Sequence, residues 1–177
     1  MQLKKGGKMH IKSERLNFRK YNEDDLDFLY LLLSDPDMVK HIGEGKTRDI
    51  EGTRQFLEWI YHTYRLSADL GLMVLQHKEN NQPIGHAGLV PQTINGVAEI
   101  EIGYWIARKH WGKGYATEAA EALKDFGQNN LGKERFISLI QPENIASRKV
   151  ASKIGMSLEK EIQLKGQDVQ IYSTWRG

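Results

Sequence analysis

Apolar residues along this chain change their spacing near residue 70. Before it they recur mostly at helical intervals; after it, strand-like runs alternate with turns and short helices. Leu16 and Phe18 alternate with polar neighbours, so residues 11–19 read as a first strand. Asn22 is placed to cap an acidic first turn of Glu23, Asp24 and Asp25. Leu26, Leu29, Tyr30 and Leu33 then give the stripe of an amphipathic helix. Ser34-Asp35-Pro36-Asp37 interrupts it, because proline disfavours helical geometry at the residue before it. Residues 38–46 read as a looser segment with Gly43 and Gly45. A second helix is predicted over 47–65, with Phe56, Leu57, Ile60 and Tyr64 on one face.

Strand patterns follow at 72–75 and 83–90, separated by the polar turn Glu79-Asn80-Asn81-Gln82. Asn95-Gly96 is a strong hairpin signal, since both central residues of a type I′ turn need positive φ. A strand over 98–106 runs into a loop and then a helix over 116–129. A strand at 136–140 and a helix at 146–154, ended by Gly155, come next. Strands at 157–164 and 169–175 close as a hairpin around Lys165-Gly166-Gln167-Asp168. There is no repeat, low-complexity tract or linker. One mixed α/β domain over 9–177 is expected, with residues 1–8 as a mobile tail.

The 177 residues carry 25 Lys and Arg against 23 Asp and Glu, a formal net charge of +2. That balance gives no support to a nucleic-acid partner, which calls for a basic face. No apolar run nears the roughly 20 residues of a membrane helix, so no membrane partner is expected. Residues 1–10 lack the apolar stretch of a signal peptide. There are no cysteines, which excludes disulfides, thiolate nucleophiles and Cys-based metal sites, and fits a cytoplasmic setting. The six histidines have no short ligand spacing, so no metal site is assigned.

Candidate chemistry concentrates at residues 106–116, where a strand ends, a basic glycine-containing loop follows and a helix begins. Glycines let successive N–H groups point into one concavity, and the helix start adds unsatisfied donors and partial positive charge. Arg108, Lys109 and Lys113 raise the potential further, so a diphosphate is the natural guest. A tight turn with solvated basic residues has the same spacing. A Walker loop is excluded because Gly114 follows Lys113. A dinucleotide fingerprint is excluded because Thr117 stands where its third glycine belongs.

Lys109-His110-Trp111-Gly112-Lys113-Gly114 resembles the acyl-CoA diphosphate loop of the GNAT N-acetyltransferases, with Lys109 where Gln or Arg is usual. Glu101-Ile102-Gly103-Tyr104-Trp105-Ile106 before it and Tyr115-Ala116-Thr117-Glu118-Ala119 after it are similar to the RimJ/RimL-type branch. So are Ser13-Glu14-Arg15-Leu16 with Arg19, Asp35-Pro36-Asp37-Met38, Asn144-Ile145-Ala146-Ser147 and Lys153-Ile154-Gly155-Met156, in that order along the chain. The resemblance implies an α/β (α+β) fold with a mixed, mostly antiparallel sheet, splayed at a β-bulge near Gly103 and flanked by helices on both faces. It implies acetyl-CoA as cosubstrate, an acceptor that is a protein N-terminal amine or a small amine, and leaves assembly as a homodimer open.

The same resemblance implies that the pantetheine arm pairs with Tyr104, Trp105 and Ile106 like an added strand, and that Asn144 contacts it. Lys109, His110, Trp111, Gly112, Lys113, Gly114, Tyr115 and Ala116 would hold the diphosphate end. Plain readings stand beside these: Asn144 as a helix cap, Trp105 and Trp111 as packing residues, His110 as a solvated loop residue. Without cysteine, an amine must attack the thioester directly, and a protonated amine needs a proton acceptor. Glu99 and Glu101 share a strand face by period two, and Glu101 is nearer the expected thioester. Both also read as ordinary strand carboxylates. The leaving thiolate needs a proton donor. The tyrosine that many family members carry is Ala151 here, and Ser147 is the replacement that the RimJ/RimL resemblance implies. A non-catalytic acyl-CoA-binding module is the alternative function.

Overall fold

The computed structural model describes residues 10–174, so the tail expected at 1–8 lies outside the described residues. Seven strands form one sheet in the order β1-β2-β3-β4-β5-β7-β6. They are β1 (Leu16–Lys20), β2 (Gly71–His77), β3 (Pro83–Ile94), β4 (Val97–Ile106), β5 (Ile137–Ile140), β6 (Ser157–Leu164) and β7 (Gln167–Ser173). Every neighbouring pair is antiparallel except β4 and β5, which are parallel and share the single register pair Glu101–Ile137. The sheet is therefore mixed and mostly antiparallel, and it splays between β4 and β5.

Helices cover both faces. Helices α1 (Leu26–Ser34) and α3 (Ile50–Leu66) bury Leu29, Leu33, Leu57 and Ile60 against Leu72, Val74 and Val90. On the other face, α4 (Tyr115–Asn129) and α5 (Ile145–Lys153) pack Ala119, Leu123, Phe126 and Ala151 against Leu75, Ala87, Leu89 and Ile102. Alternate residues of each strand thus serve different cores, as the two-residue pleat requires. A fully buried leucine such as Leu29 or Leu123 contributes about 1.5–3 kcal/mol of transfer free energy, so both layers are needed to hold the sheet.

Local sequence explains the element ends. Asn22 and Asp25 form a reciprocal capping box ahead of α1. Pro36 starts the four-residue α2 (Pro36–Val39) with Asp35 as its cap, and the helix takes in Met38 and Val39, where the looser segment was expected to begin. Asp49 caps α3 by accepting from Gly52 N at 2.8 Å. Asn95 and Gly96 both have positive φ (49° and 79°), as the type I′ turn demands. The last hairpin turns on Lys165-Gly166 alone, tighter than the four residues expected, because Lys165 also adopts positive φ (49°). The strand expected to reach residue 175 ends at Ser173, and Trp175 lies outside the described residues.

The bulge expected at Gly103 is absent. The β3–β4 register runs unbroken from Gly85–Ile106 to Ile94–Val97, with Gly103 opposite Gly88. The sheet opens by the departure of β5, so β4 itself stays regular. Irregularities sit instead at Leu75/Gln76 in β2 and Leu158/Lys160 in β6. Among the described residues, no helix is long and apolar enough to cross a membrane and no group of three or more His, Cys, Asp or Glu is placed to hold a metal ion.

Candidate active site

A cavity of about 700 Å³ opens along the split between β4 and β5. Its floor is β4 from Glu101 to Ile106. Its far wall is Ser138, Leu139 and Ile140 of β5 with the first turns of α5, and its near wall includes Met38 of α2 (Pro36–Val39) and Lys40, His41 and Ile42 after it.

Side chains take over where the β4–β5 ladder stops. Ser138 Oγ donates to Ile102 O at 2.9 Å. Glu101 accepts from Leu139 N at 3.2 Å and from Gln92 Nε2 at 3.0 Å. Ile102 O therefore faces β5, and by the two-residue alternation so do the backbone groups of Tyr104. No described strand pairs with them. Further along that edge, Trp111 Nε1 donates to Ile106 O at 2.6 Å, which assigns the indole a capping role. The open backbone edge is thus centred on Tyr104.

Glu101 sits on the cavity wall. Burial pushes its carboxyl above the ordinary value, and the hydrogen bonds from Gln92 and Leu139 work against that shift without cancelling it. Glu99, two residues earlier, is differently placed. Arg135 grips it through Nε and Nη2 at 3.0 Å each and also pairs with Glu159 at 3.0 Å. Glu99 does not line the cavity.

The Tyr104 hydroxyl donates to Ser147 O at 2.9 Å, and burial raises its pKa well above the usual phenol value. Asn144 caps α5 by accepting from Ser147 N at 3.2 Å, so the capping reading of Asn144 holds and Ser147 lies in the first turn. Both line the cavity. Trp105 also lines it, while its ring packs on His86 (4.7 Å between centroids) and Phe56 (5.9 Å).

At the other end of the cavity, Gly112 and Gly114 both take positive φ (76° and 80°), and Gly114 starts α4. The first bond of α4 from outside its own residues runs from Glu118 N to Gly114 O. The N–H groups of residues 115–117 consequently have no intrahelical partner, and all three residues line this end of the cavity. His110, Trp111, Gly112, Gly114, Tyr115 and Ala116 all line the cavity; Lys109 and Lys113 do not. Burial lowers the His110 pKa, with Lys109, Lys113 and His77 adding to the effect. Arg108 is directed away from the loop, pairing with Asp35 at 3.1 Å and Asp37 at 2.9 Å on α2.

The structure therefore gathers every expected site residue except Glu99, Lys109 and Lys113. It adds Lys40, His41 and Ile42, Ser138, Thr117, and Lys149 with Lys153. The last two are four apart on α5, a spacing that places both on one face and is visible in the sequence. The others are brought in by tertiary packing and leave no local signal.

Comparison with known proteins gives a consistent picture. The model of the acetyltransferase (GNAT) domain family matches residues 15–157. The Bacillus subtilis (strain 168) protein YkkB is 35% identical over 93% of this chain and 95% of its own. A GNAT-family acetyltransferase from Bacillus anthracis superposes with a TM-score of 0.77 at 31% identity, covering 92% of this chain and 96% of that one. A Salmonella typhimurium acetyltransferase described as modifying the N-terminal serine of ribosomal protein L7/L12 superposes with a TM-score of 0.75. At 21% identity over 93% of this chain and 96% of that one, it supports the fold alone.

Proposed function

Because the chain belongs to the GNAT acetyltransferase family, we propose that it moves an acetyl group from acetyl-CoA to a primary amine by direct attack within a ternary complex. The observation that carries this reading is the placement of Glu101, a half-buried carboxyl of raised pKa, on the wall of the split beside the unpaired backbone of Tyr104.

The residues present fit an acyl-CoA. The diphosphate meets the free N–H groups at the start of α4, under the positive end of the helix. Lys149 and Lys153 add positive charge on the facing helix. The pantetheine arm lies along the Tyr104 edge, where β5 has withdrawn, and pairs with it as a strand would. The Tyr104 N–H, directed into the split, donates to the thioester carbonyl and stabilises the negative charge that develops on it. Gly103, the other candidate for that donor, has its backbone on the β3 side.

Glu101 takes a proton from the bound ammonium, directly or through one water, and so frees the nitrogen lone pair that attacks the thioester carbon. A carboxyl held above its ordinary pKa is a better proton acceptor near neutral pH than an exposed one. The sulfur of the departing CoA takes a proton from the Ser147 hydroxyl, which regains one from solvent as the thiol leaves. Glu99 has no part in the chemistry; its ion pair with Arg135 secures the start of β5. With no cysteine in the chain, acyl-enzyme formation on sulfur is excluded.

The acceptor is either a protein N-terminal amine, as in the RimJ/RimL-type branch, or a small amine. It enters along the wall formed by Met38, His41 and Ile42, with Trp105 beneath. Initial velocities measured against both substrates test the order of events. Intersecting reciprocal plots are expected for a ternary complex; parallel lines would show a covalent acetyl-enzyme and end this reading.

A further inference from the structure

The diphosphate loop is held from behind by residues that lie about a hundred positions earlier in the chain. Arg15, just before β1, makes four separate contacts with the loop and the helix it starts. Its Nε meets Glu118 Oε1 at 2.6 Å, and its backbone N–H donates to Glu118 Oε2 at 2.8 Å. Its Nη1 donates to Lys113 O at 3.0 Å, and its guanidinium lies over the Tyr115 ring, 4.3 Å from the centroid. Ser13 Oγ also donates to Glu118 Oε2 at 2.5 Å. The N-terminal segment is in turn fixed just past the end of β2, where Lys78 N donates to Arg15 O at 2.8 Å.

We propose that Ser13, Arg15 and Glu118 form a clamp that sets the shape of the diphosphate loop, with Arg15 a positioning residue that binds no substrate itself. The inference rests on the acyl-CoA reading of the cavity. Two features of the contacts carry it. First, Lys113 O and Tyr115 flank Gly114, the left-handed residue from which the free N–H groups of α4 fan out. Fixing both neighbours fixes the direction of those donors. A hydrogen-bond cradle needs its donors placed before the anion arrives, since each misdirected N–H loses most of its bond.

Second, Glu118 is a carboxylate one turn into α4, close to where a diphosphate sits. Left alone it repels that anion. Burial works to raise its pKa, but the bonds from Ser13 and Arg15 outweigh burial and hold it below the ordinary value, so it stays charged and needs its partner. Arg15 neutralises it, with the guanidinium set behind the loop. Lysine in its place keeps the charge but loses the planar fork that serves Glu118 and Lys113 together.

CoA binding measured by calorimetry, independent of turnover, tests the clamp. Arg15→Ala is expected to weaken CoA binding about tenfold or more, the scale of lost charge-assisted hydrogen bonds. Arg15→Lys is expected to fall between Arg15→Ala and the unaltered protein. Removing the stranded carboxylate as well, in Arg15→Ala/Glu118→Ala, should recover part of the loss. Turnover with S-acetylpantetheine, which lacks the diphosphate, should be the same in the unaltered protein and in Arg15→Ala. By linkage, CoA should also slow amide hydrogen exchange at residues 13–16. Arg15→Ala binding CoA as tightly as the unaltered protein overturns the clamp and leaves the acyl-CoA reading standing. So does a double variant that binds no better than Arg15→Ala, or an equal loss with S-acetylpantetheine, which marks general damage to the fold. An unaltered protein that fails to bind CoA overturns the acyl-CoA reading and the clamp together.

Discussion

The carboxylate of Glu101 accepts a hydrogen bond from Leu139 N at 3.2 Å, across the gap where β4 and β5 separate. It stands where a ladder bond would be in a closed sheet. One side chain therefore satisfies the backbone of the departing strand and brings an ionisable group to the opening that the departure creates.

Glu101→Gln keeps an acceptor for Leu139 N and removes the proton acceptor. Acetyl transfer is expected to fall by about 10²–10⁴-fold, the usual contribution of a general base. CoA affinity should stay within twofold of the unaltered protein. Steady-state rates and calorimetry on the same samples check both halves. Full activity at saturating amine removes Glu101 from the role.

The pH profile has a definite sign. Glu101 must be deprotonated to accept a proton, so activity is lost as pH falls through its pKa, which burial holds above the ordinary carboxylate value. The hydrogen bond from Gln92 works to lower that pKa. Gln92→Ala should therefore move the acidic limb of kcat/KM for the amine to higher pH. A limb that stays in place, or moves down, contradicts the assignment.

Glycine positions separate folding from cleft shape. A Cβ on Gly88 would lie 2.0 Å from Gly71 O, and one on Gly127 would lie 2.3 Å from the Phe136 ring. Gly88→Ala and Gly127→Ala should each lower the melting temperature by several degrees, on the scale of about 1–3 kcal/mol of overpacking in a domain of this size. A Cβ on Gly103 meets Leu72 and Val90 at 3.7 Å and Gly88 O at 4.0 Å, all ordinary contacts. Gly103→Ala should melt like the unaltered protein yet turn over more slowly, because Gly103 lines the cavity and the added methyl stands on the Glu101 side of β4. Melting curves and rates on the three variants decide it.

Ser147 and Asn144 divide along similar lines. Asn144→Ala removes a helix cap and should cost about 1 kcal/mol of stability. Ser147→Ala leaves that cap acceptor and its N–H partner in place, so stability should hold. Its loss should appear in kcat, most strongly at high pH where solvent protons are scarce. Unchanged turnover across the pH range removes Ser147 as the proton donor.

Much of this fold was legible in sequence because its signals are local. Asn95-Gly96, the Asn22 cap and Gly155 each mark an element end through one residue's backbone preference. The glycine loop ahead of α4 was legible for the same reason: its glycines and the helix start are contiguous. The role of Glu99 was not. Period two puts Glu99 and Glu101 on one face, and only the fold brings Arg135 to one of them and Leu139 to the other. The expected bulge at Gly103 failed likewise, since a glycine inside a strand does not by itself fix a bulge, and here Gly103 stands opposite Gly88 of β3 in an unbroken register. The cavity wall at Lys40, His41 and Ile42 comes from a segment whose sequence shows only two glycines and a proline before it.

The central claim is that the split holds an acetyl donor and a proton acceptor for an attacking amine. Thiol release from acetyl-CoA, followed together with the mass of the acceptor across a panel of N-terminal peptides and small primary amines, tests it most directly. The expected result is thiol release that depends on one class of amine, with one acetyl group gained by the amine for each thiol freed. Tight CoA binding with no amine-dependent thiol release on any acceptor would contradict it and identify a binding module without catalysis.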